Sequence, residues 1–144
     1  MDISDRAKRY SMRWNCCDGD DCYLDNQHPA KEVLVDYLPE RKPWDRIAPS
    51  DIDAVIERNS QFLFVEFKSE RAGRVPTGQR LMLERLSKLA GSTVIMVDGV
   101  FKPNDDCRGI TRFEGGEMKP YEPMTRDEFG KIVTKWADDA DNVN

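Results

Sequence analysis

The alternation of apolar and polar positions is clearest across residues 49–69, PSDIDAVIERNSQFLFVEFKS. Apolar and β-branched residues occupy 52–56 and again 62–67, with Arg58, Asn59 and Ser60 as a polar interval of turn length between them. The pattern predicts a β-hairpin. Side chains alternate faces along a strand. Asp51 and Asp53 therefore share one face of the first strand, with Ile52, Ala54 and Ile56 on the other. On the second strand Glu66 and Lys68 share a face, opposite Leu63, Val65 and Phe67. Closing the hairpin lays the Asp end of one strand beside the Glu-Lys end of the other. A cluster of carboxylates and an ammonium on apolar strands is costly unless the charges are paired or bind metal.

The remaining elements follow from the same reading. Val33, Leu34, Tyr37 and Leu38 have helical spacing, which predicts a helix over 31–38 ended by Pro39. Residues 40–48 form a Pro- and charge-rich connection with a short strand at 44–47. Residues 70–76 read as a Gly- and Arg-containing loop that faces substrate. Thr77 is the expected N-cap of a helix running to Ala90 and closed by Gly91, with Met82, Leu83, Leu86, Leu89 and Ala90 as its buried stripe. The apolar run 92–99 predicts a buried strand parallel to its neighbour through the helical crossover. A hairpin through Gly115-Gly116 is expected next. Thr125 and Glu128 form a capping box, and Met124 with Phe129 a hydrophobic staple. Phe129, Ile132, Val133, Trp136 and Ala137 then make one helical face. Residues 138–144 read as an acidic frayed tail. Residues 1–27 carry the weakest pattern, and there is no internal repeat.

Length and composition set the bounds. A chain of 144 residues, 34% charged and 39% hydrophobic, reads as one domain with a single core. No stretch has the length and apolarity of a membrane span or a signal peptide, so the expected location is the cytoplasm. Cys16, Cys17, Cys22 and Cys107 are then reduced thiols. Cys17 and Cys22 have zinc-like spacing, but a second pair must come from Cys16, His28 or distant Cys107; a polar loop with unmodified thiols is the preferred reading over structural zinc. His28 is the only histidine, which excludes any multi-histidine metal site and weighs against histidine-centred hydrolysis of the Ser-His-Asp kind. The net charge of −5 opposes nucleic-acid binding. Its distribution does not, because Lys68, Arg71, Arg74, Arg80, Arg85 and Lys88 gather just after the acids. A second basic group, Arg6, Lys8, Arg9 and Arg13, precedes Trp14.

Asp53 followed by Glu66-Phe67-Lys68 resembles the D…E-x-K signature of the PD-(D/E)xK nuclease superfamily. The interval between the acids, with Ser69 after them, resembles archaeal Holliday-junction resolvases. Pro49-Ser50-Asp51-Ile52-Asp53 is similar to a form found in small phage-encoded members, and Gly78-Gln79 resembles the family's glutamine at the start of the next helix. The likeness covers residues 31–98. Here Pro49 is followed by Ser50 rather than directly by Asp, so the choice of Asp51 or Asp53 as main ligand stays open.

The resemblance implies an α/β fold with a restriction-endonuclease-like core, a mixed central β-sheet flanked by helices on both faces. It also implies divalent-metal-dependent hydrolysis of DNA phosphodiester bonds. Asp53 and Glu66 would hold Mg²⁺ or Mn²⁺, joined by the Phe67 backbone carbonyl and by Asp51 as a further ligand. Lys68 would orient water or stabilise developing charge, and Gln79 would position phosphate or water. Glu32 is a minor candidate for supporting the metal. Arg71, Arg74, Arg80, Arg85 and Lys88 would track the DNA backbone. The partners implied are DNA and a divalent metal, with no membrane and room for a homodimer. The alternatives are a catalytically silent domain of the same fold that binds nucleic acid or protein, and an acidic surface whose Glu66 and Lys68 merely pair across a sheet edge.

Overall fold

The hairpin closes on two residues, because Asn59 and Ser60 both take left-handed backbone angles, with φ of 52° and 63°. A two-residue turn of this kind matches the twist of the strands it joins. Strand β1 (Ala54–Arg58) therefore pairs antiparallel with β2 (Gln61–Lys68), with Ala54 facing Val65 and Arg58 facing Gln61. The expected strand at 52–56 lies two residues too early, and Arg58 belongs to the strand, since so tight a turn needs no third residue.

The computed structural model describes residues 29–50, 52–68, 75–100 and 105–143. The chain divides into two compact units, Met1–Asp51 and Ile52–Asn144. In the first, helix α1 spans Pro29–Asp36 and a single 3₁₀ turn spans Pro43–Asp45. The helix starts on a proline, which is pre-set for a first helical position. The 3₁₀ turn replaces the short strand expected at 44–47. Pro43 at its start and the Arg41–Asp45 ion pair at 3.0 Å favour a closed turn over extended chain.

The second unit is an α/β assembly on one mixed sheet. After β2 the chain crosses through helix α2 (Thr77–Leu86) into β3 (Ser92–Gly99), which lies parallel to β2. Strand β4 (Cys107–Glu114) runs antiparallel to β3. A turn through Gly115 and Gly116, both with positive φ, leads to β5 (Glu117–Met118); β6 (Glu122–Pro123) also pairs with β4. The strand order is β1-β2-β3-β4-β5.

Two cores form because the strands alternate. Leu63, Val65, Ile95, Val97, Cys107 and Ile110 are buried on one face, where Phe129, Ile132 and Trp136 of helix α3 (Arg126–Asp141) pack. Leu83 of α2 joins Val94, Met96 and Phe113 on the other, with Phe64, Met82 and Leu86 beside them. The sheet thus carries a helix on each face.

Helix α1 covers Pro29–Asp36 instead of the expected 31–38, and the later helices depart from expectation in three places. Pro76, not Thr77, is the N-cap of α2; its carbonyl accepts from the Arg80 N–H at 2.9 Å. The helix stops at Leu86, so Leu89, 59% exposed, and Ala90 leave the buried stripe. A glycine is required at 91, where φ is +78° and a Cβ would lie 2.7 Å from the Ser60 carbonyl oxygen. The third departure is the acidic end. Helix α3 continues to Asp141, burying Ala140; Asp141 pairs with Arg58 at 2.6 Å and Asn59 donates to the Ala140 carbonyl. These contacts with the hairpin convert the expected frayed tail at 138–141 into a docked last turn.

The capping box at Thr125 forms as read: its hydroxyl accepts from the Glu128 N–H, and Glu128 accepts from the Thr125 N–H. Thr125→Ala is expected to lower unfolding free energy by about 1 kcal/mol, measured by urea denaturation at constant m-value.

Candidate active site

The β1–β2 ladder ends at Ala54 and Val65. Beyond that pair, side chains take over from backbone. The Asp53 N–H donates to Glu66 Oε2 at 3.2 Å, and the Phe67 N–H donates to Asp53 Oδ2 at 2.7 Å. Each carboxylate is thus held by the opposite strand's backbone, which brings two like charges together at the open end of the hairpin. The second oxygen of Glu66, Oε1, accepts from Gln79 Nε2 at 2.8 Å and lies 3.4 Å from Lys68 Nζ. Strand alternation explains the Lys68 contact; the crossover into α2 explains Gln79, which sits in that helix's first turn. Four residues singled out by the sequence therefore meet on the α2 face of the sheet: Asp53, Glu66, Lys68 and Gln79.

Glu66 is only 5% exposed. Burial raises its carboxyl above the ordinary glutamate range, and the Asp53 charge raises it further. Lys68, the Asp53 N–H and Gln79 pull the other way without cancelling the rise. The folded protein consequently favours neutral Glu66 relative to the unfolded chain. Stability from this group falls as pH rises from the unfolded pKa through the raised folded one. In metal-free buffer Glu66→Gln is therefore expected to have a higher Tm than the parent near pH 7. The difference should shrink as pH falls towards the ordinary glutamate range. A pH series of thermal melts reads both.

Whether a divalent cation suits these residues follows from the donor chemistry. No group of three or more His, Cys, Asp or Glu placed to hold an ion occurs among the described residues. Mg²⁺ asks for less, since it binds through one or two carboxylates and keeps several waters. Asp53 and Glu66 supply two, and their mutual repulsion is what a cation relieves. Gln79 Oε1 is buried without a hydrogen-bond partner among the described residues, an unused oxygen beside the pair. The donor set fits a hard cation.

Of the other expected residues, Asp51, Arg71 and Arg74 lie outside the described residues, as do Cys16, Cys17, Cys22 and His28. Phe67 is at the site through its backbone, with its side chain in the opposite core. Arg80 follows Gln79 and pairs with Glu84 at 3.5 Å. Arg85 is six residues beyond Gln79, about 9 Å along the axis. Lys88 lies against Gly116 in the β4–β5 turn. Arg80, Arg85 and Lys88 thus spread along α2 and past its end instead of gathering at the acids.

Sequence reasoning passed over Asp98. It is the last residue but one of β3, is 1% exposed, and is the register partner of Lys68. Arg108 and Tyr121 both donate to it. The available signal was a carboxylate at the carboxyl end of a buried parallel strand, the usual side for ligands in open α/β sheets.

No family model, no curated protein and no solved structure matches the chain. No helix among the described residues is long and apolar enough to cross a membrane.

Proposed function

We propose that the second unit is a divalent-metal-dependent nuclease that hydrolyses DNA phosphodiester bonds, with a restriction-endonuclease-like core. The observation that carries this reading is the convergence of Asp53, Glu66, Lys68 and Gln79 from β1's approach, β2 and α2 into one hydrogen-bonded group. These residues, in that order, make up the motif of the resembled superfamily. The resemblance implies the order helix, short strand, hairpin, helix, strand; helix, hairpin, helix and parallel strand occur in that order, with a 3₁₀ turn in place of the short strand.

Asp53 and Glu66 would hold the Mg²⁺ or Mn²⁺ ion. When bound, such an ion acidifies water and neutralises charge on phosphate. The protein's own residues do the rest. The Asp53 and Phe67 N–H groups fix the two carboxylates, so little reorganisation accompanies ligand binding. Lys68, half-buried and 3.4 Å from Glu66, offers an ammonium that orients a water and stabilises negative charge developing on a phosphoryl oxygen. Gln79 locks one Glu66 oxygen with its amide N–H, and its buried carbonyl oxygen has no hydrogen-bond partner among the described residues.

A silent binding domain of the same fold is the second reading. The completeness of the acid–lysine group argues against it, because a domain that only binds has no need to bury Glu66 beside Asp53. The deciding experiment is cleavage of linear, branched and single-stranded DNA with Mg²⁺, Mn²⁺ or chelator. Metal-dependent cleavage of any of the three supports the nuclease; binding without cleavage in either metal supports the silent domain.

A further inference from the structure

Lys68 has two carboxylates within its compass. Glu66 lies two residues away on its own strand. Asp98 lies directly across the parallel ladder, on the same face, and neighbouring strands are about 4.8 Å apart. A buried carboxylate in that position is a strong competitor for an ammonium, because a charge removed from water needs a partner. Yet the ion pair formed is Lys68 with Glu66.

The reason lies on β4 and beyond. Asp98 Oδ1 accepts from Arg108 Nη2 at 2.8 Å and from Nε at 3.2 Å, and Oδ2 accepts from Tyr121 Oη at 3.1 Å. Both oxygens are engaged. Two features of the sequence permit this. The β3–β4 ladder shifts register between Asp98 and Gly99: Asp98 opposes Gly109, while Gly99 opposes Cys107. Arg108 is the extra residue, and such a bulge re-aims a side chain out of strict alternation. Gly109 supplies the second feature, for a Cβ there would stand 2.4 Å from Tyr121 Cζ. Only glycine admits the tyrosine ring to Asp98.

We propose that Arg108 and Tyr121 are positioning residues: by occupying both oxygens of Asp98 they leave Lys68 to Glu66, where the candidate chemistry needs it. The catalytic consequence rests on the nuclease reading; the placement of Lys68 does not. The buried acid is thus a latent trap for the lysine, disarmed by an arginine ten residues downstream and a tyrosine further on.

The test combines crystal structures and steady-state cleavage of DNA for Arg108→Met, Arg108→Lys, Tyr121→Phe and the double variant Arg108→Met with Asp98→Asn. In Arg108→Met the Lys68 ammonium is expected to leave Glu66 for Asp98. Its kcat should fall about 100-fold, the scale of losing one stabilising group, with KM changed less than about threefold. Arg108→Lys keeps a cation on Asp98 and should hold most of the activity. Adding Asp98→Asn to Arg108→Met removes the trap and should return kcat to within about tenfold of the parent. A purely structural role for Arg108 predicts no such rescue. Lys68 remaining on Glu66 in Arg108→Met, or a double variant no more active than the single one, overturns the proposal. Should Arg108→Met fail to fold, Tyr121→Phe frees Oδ2 alone, and Lys68 staying on Glu66 there overturns it equally. Absence of cleavage by the parent protein would count against the nuclease reading, while the position of Lys68 in the variant crystals still decides this one.

Discussion

Asp53→Ala and Glu66→Ala are each expected to abolish metal-supported DNA cleavage, lowering kcat by about a thousandfold or more, while the protein stays folded. The two halves of this result have one cause. Asp53 and Glu66 are held side by side by backbone N–H groups of the opposite strand, and without a cation they chiefly repel each other. Removing either charge takes away one of the two carboxylates proposed to hold the ion but relieves the fold. Glu66→Ala leaves the Gln79 amide and the Asp53 N–H without their acceptor, a loss of about 1–3 kcal/mol per buried group. Relief of burial and repulsion at Glu66 offsets part of that loss. Far-ultraviolet circular dichroism and thermal melting establish folding; cleavage of labelled DNA in Mg²⁺ and Mn²⁺ reads the activity. Cleavage at the parental rate by the purified double variant would remove the hairpin from the chemistry.

The largest stability effect is expected at Leu63→Ala, about 3 kcal/mol. Leu63 is 0% exposed, on the interior strand β2, facing Ile56 on one side and Thr93 on the other. Its methyl groups fill the middle of the core beneath α3, where neighbouring strands cannot move inward to close a void. At about 4–8 °C per kcal/mol for a unit of this size, Tm should drop by about 12–24 °C. Phe62→Ala, one residue earlier and partly exposed, should cost distinctly less despite the larger side chain. Since Leu63 and Glu66 point to opposite faces, Leu63→Ala assayed well below its own Tm should cleave at close to the parental rate. A selective loss of activity at that temperature would show that the two faces are mechanically coupled.

The contrast between Leu63 and Asp98 shows what could be read from the chain and what could not. The hairpin, its faces and the nearness of Asp53, Glu66 and Lys68 were legible because alternation is local: six or seven residues determine which way each side chain points; Gln79, on the helix after the crossover, was pointed out only by the family resemblance. The parallel strand 92–99 and the capping box at Thr125 were legible for the same reason. Asp98 was not, since its meaning depends on Arg108 and Tyr121, 10 and 23 residues away, and on a register shift that alternation cannot foresee. The acidic end of α3 misled for a related reason. Asp138, Asp139 and Asp141 look solvated, but the small residue among them, Ala140, is the one that packs, and Asp141 finds Arg58 across 83 positions. Residues 44–47 misled locally, because a run of Trp, Arg and Ile suits a strand until Pro43 bends its start into a 3₁₀ turn.

The two-residue turn at Asn59-Ser60 sits at the far end of the hairpin from the acids, yet it acts as their gauge block. Asp53 lies six positions before the turn and Glu66 six after it, and the face shared by their carboxylates depends on that count being kept. Substitutions at 59 and 60 alter how easily the gauge is assembled and, at 59, the hydrogen bond to the Ala140 carbonyl, but not the gauge's length. One residue added or removed there, if the pairing absorbs it, slips one strand by one place and exchanges its two faces. Glu66 and Lys68 would then point into the apolar core while Leu63 and Val65 pointed at Asp53. Evolution of this chain is therefore free to respell the turn but not to resize it, a constraint on length exerted by a segment that touches none of the chemistry.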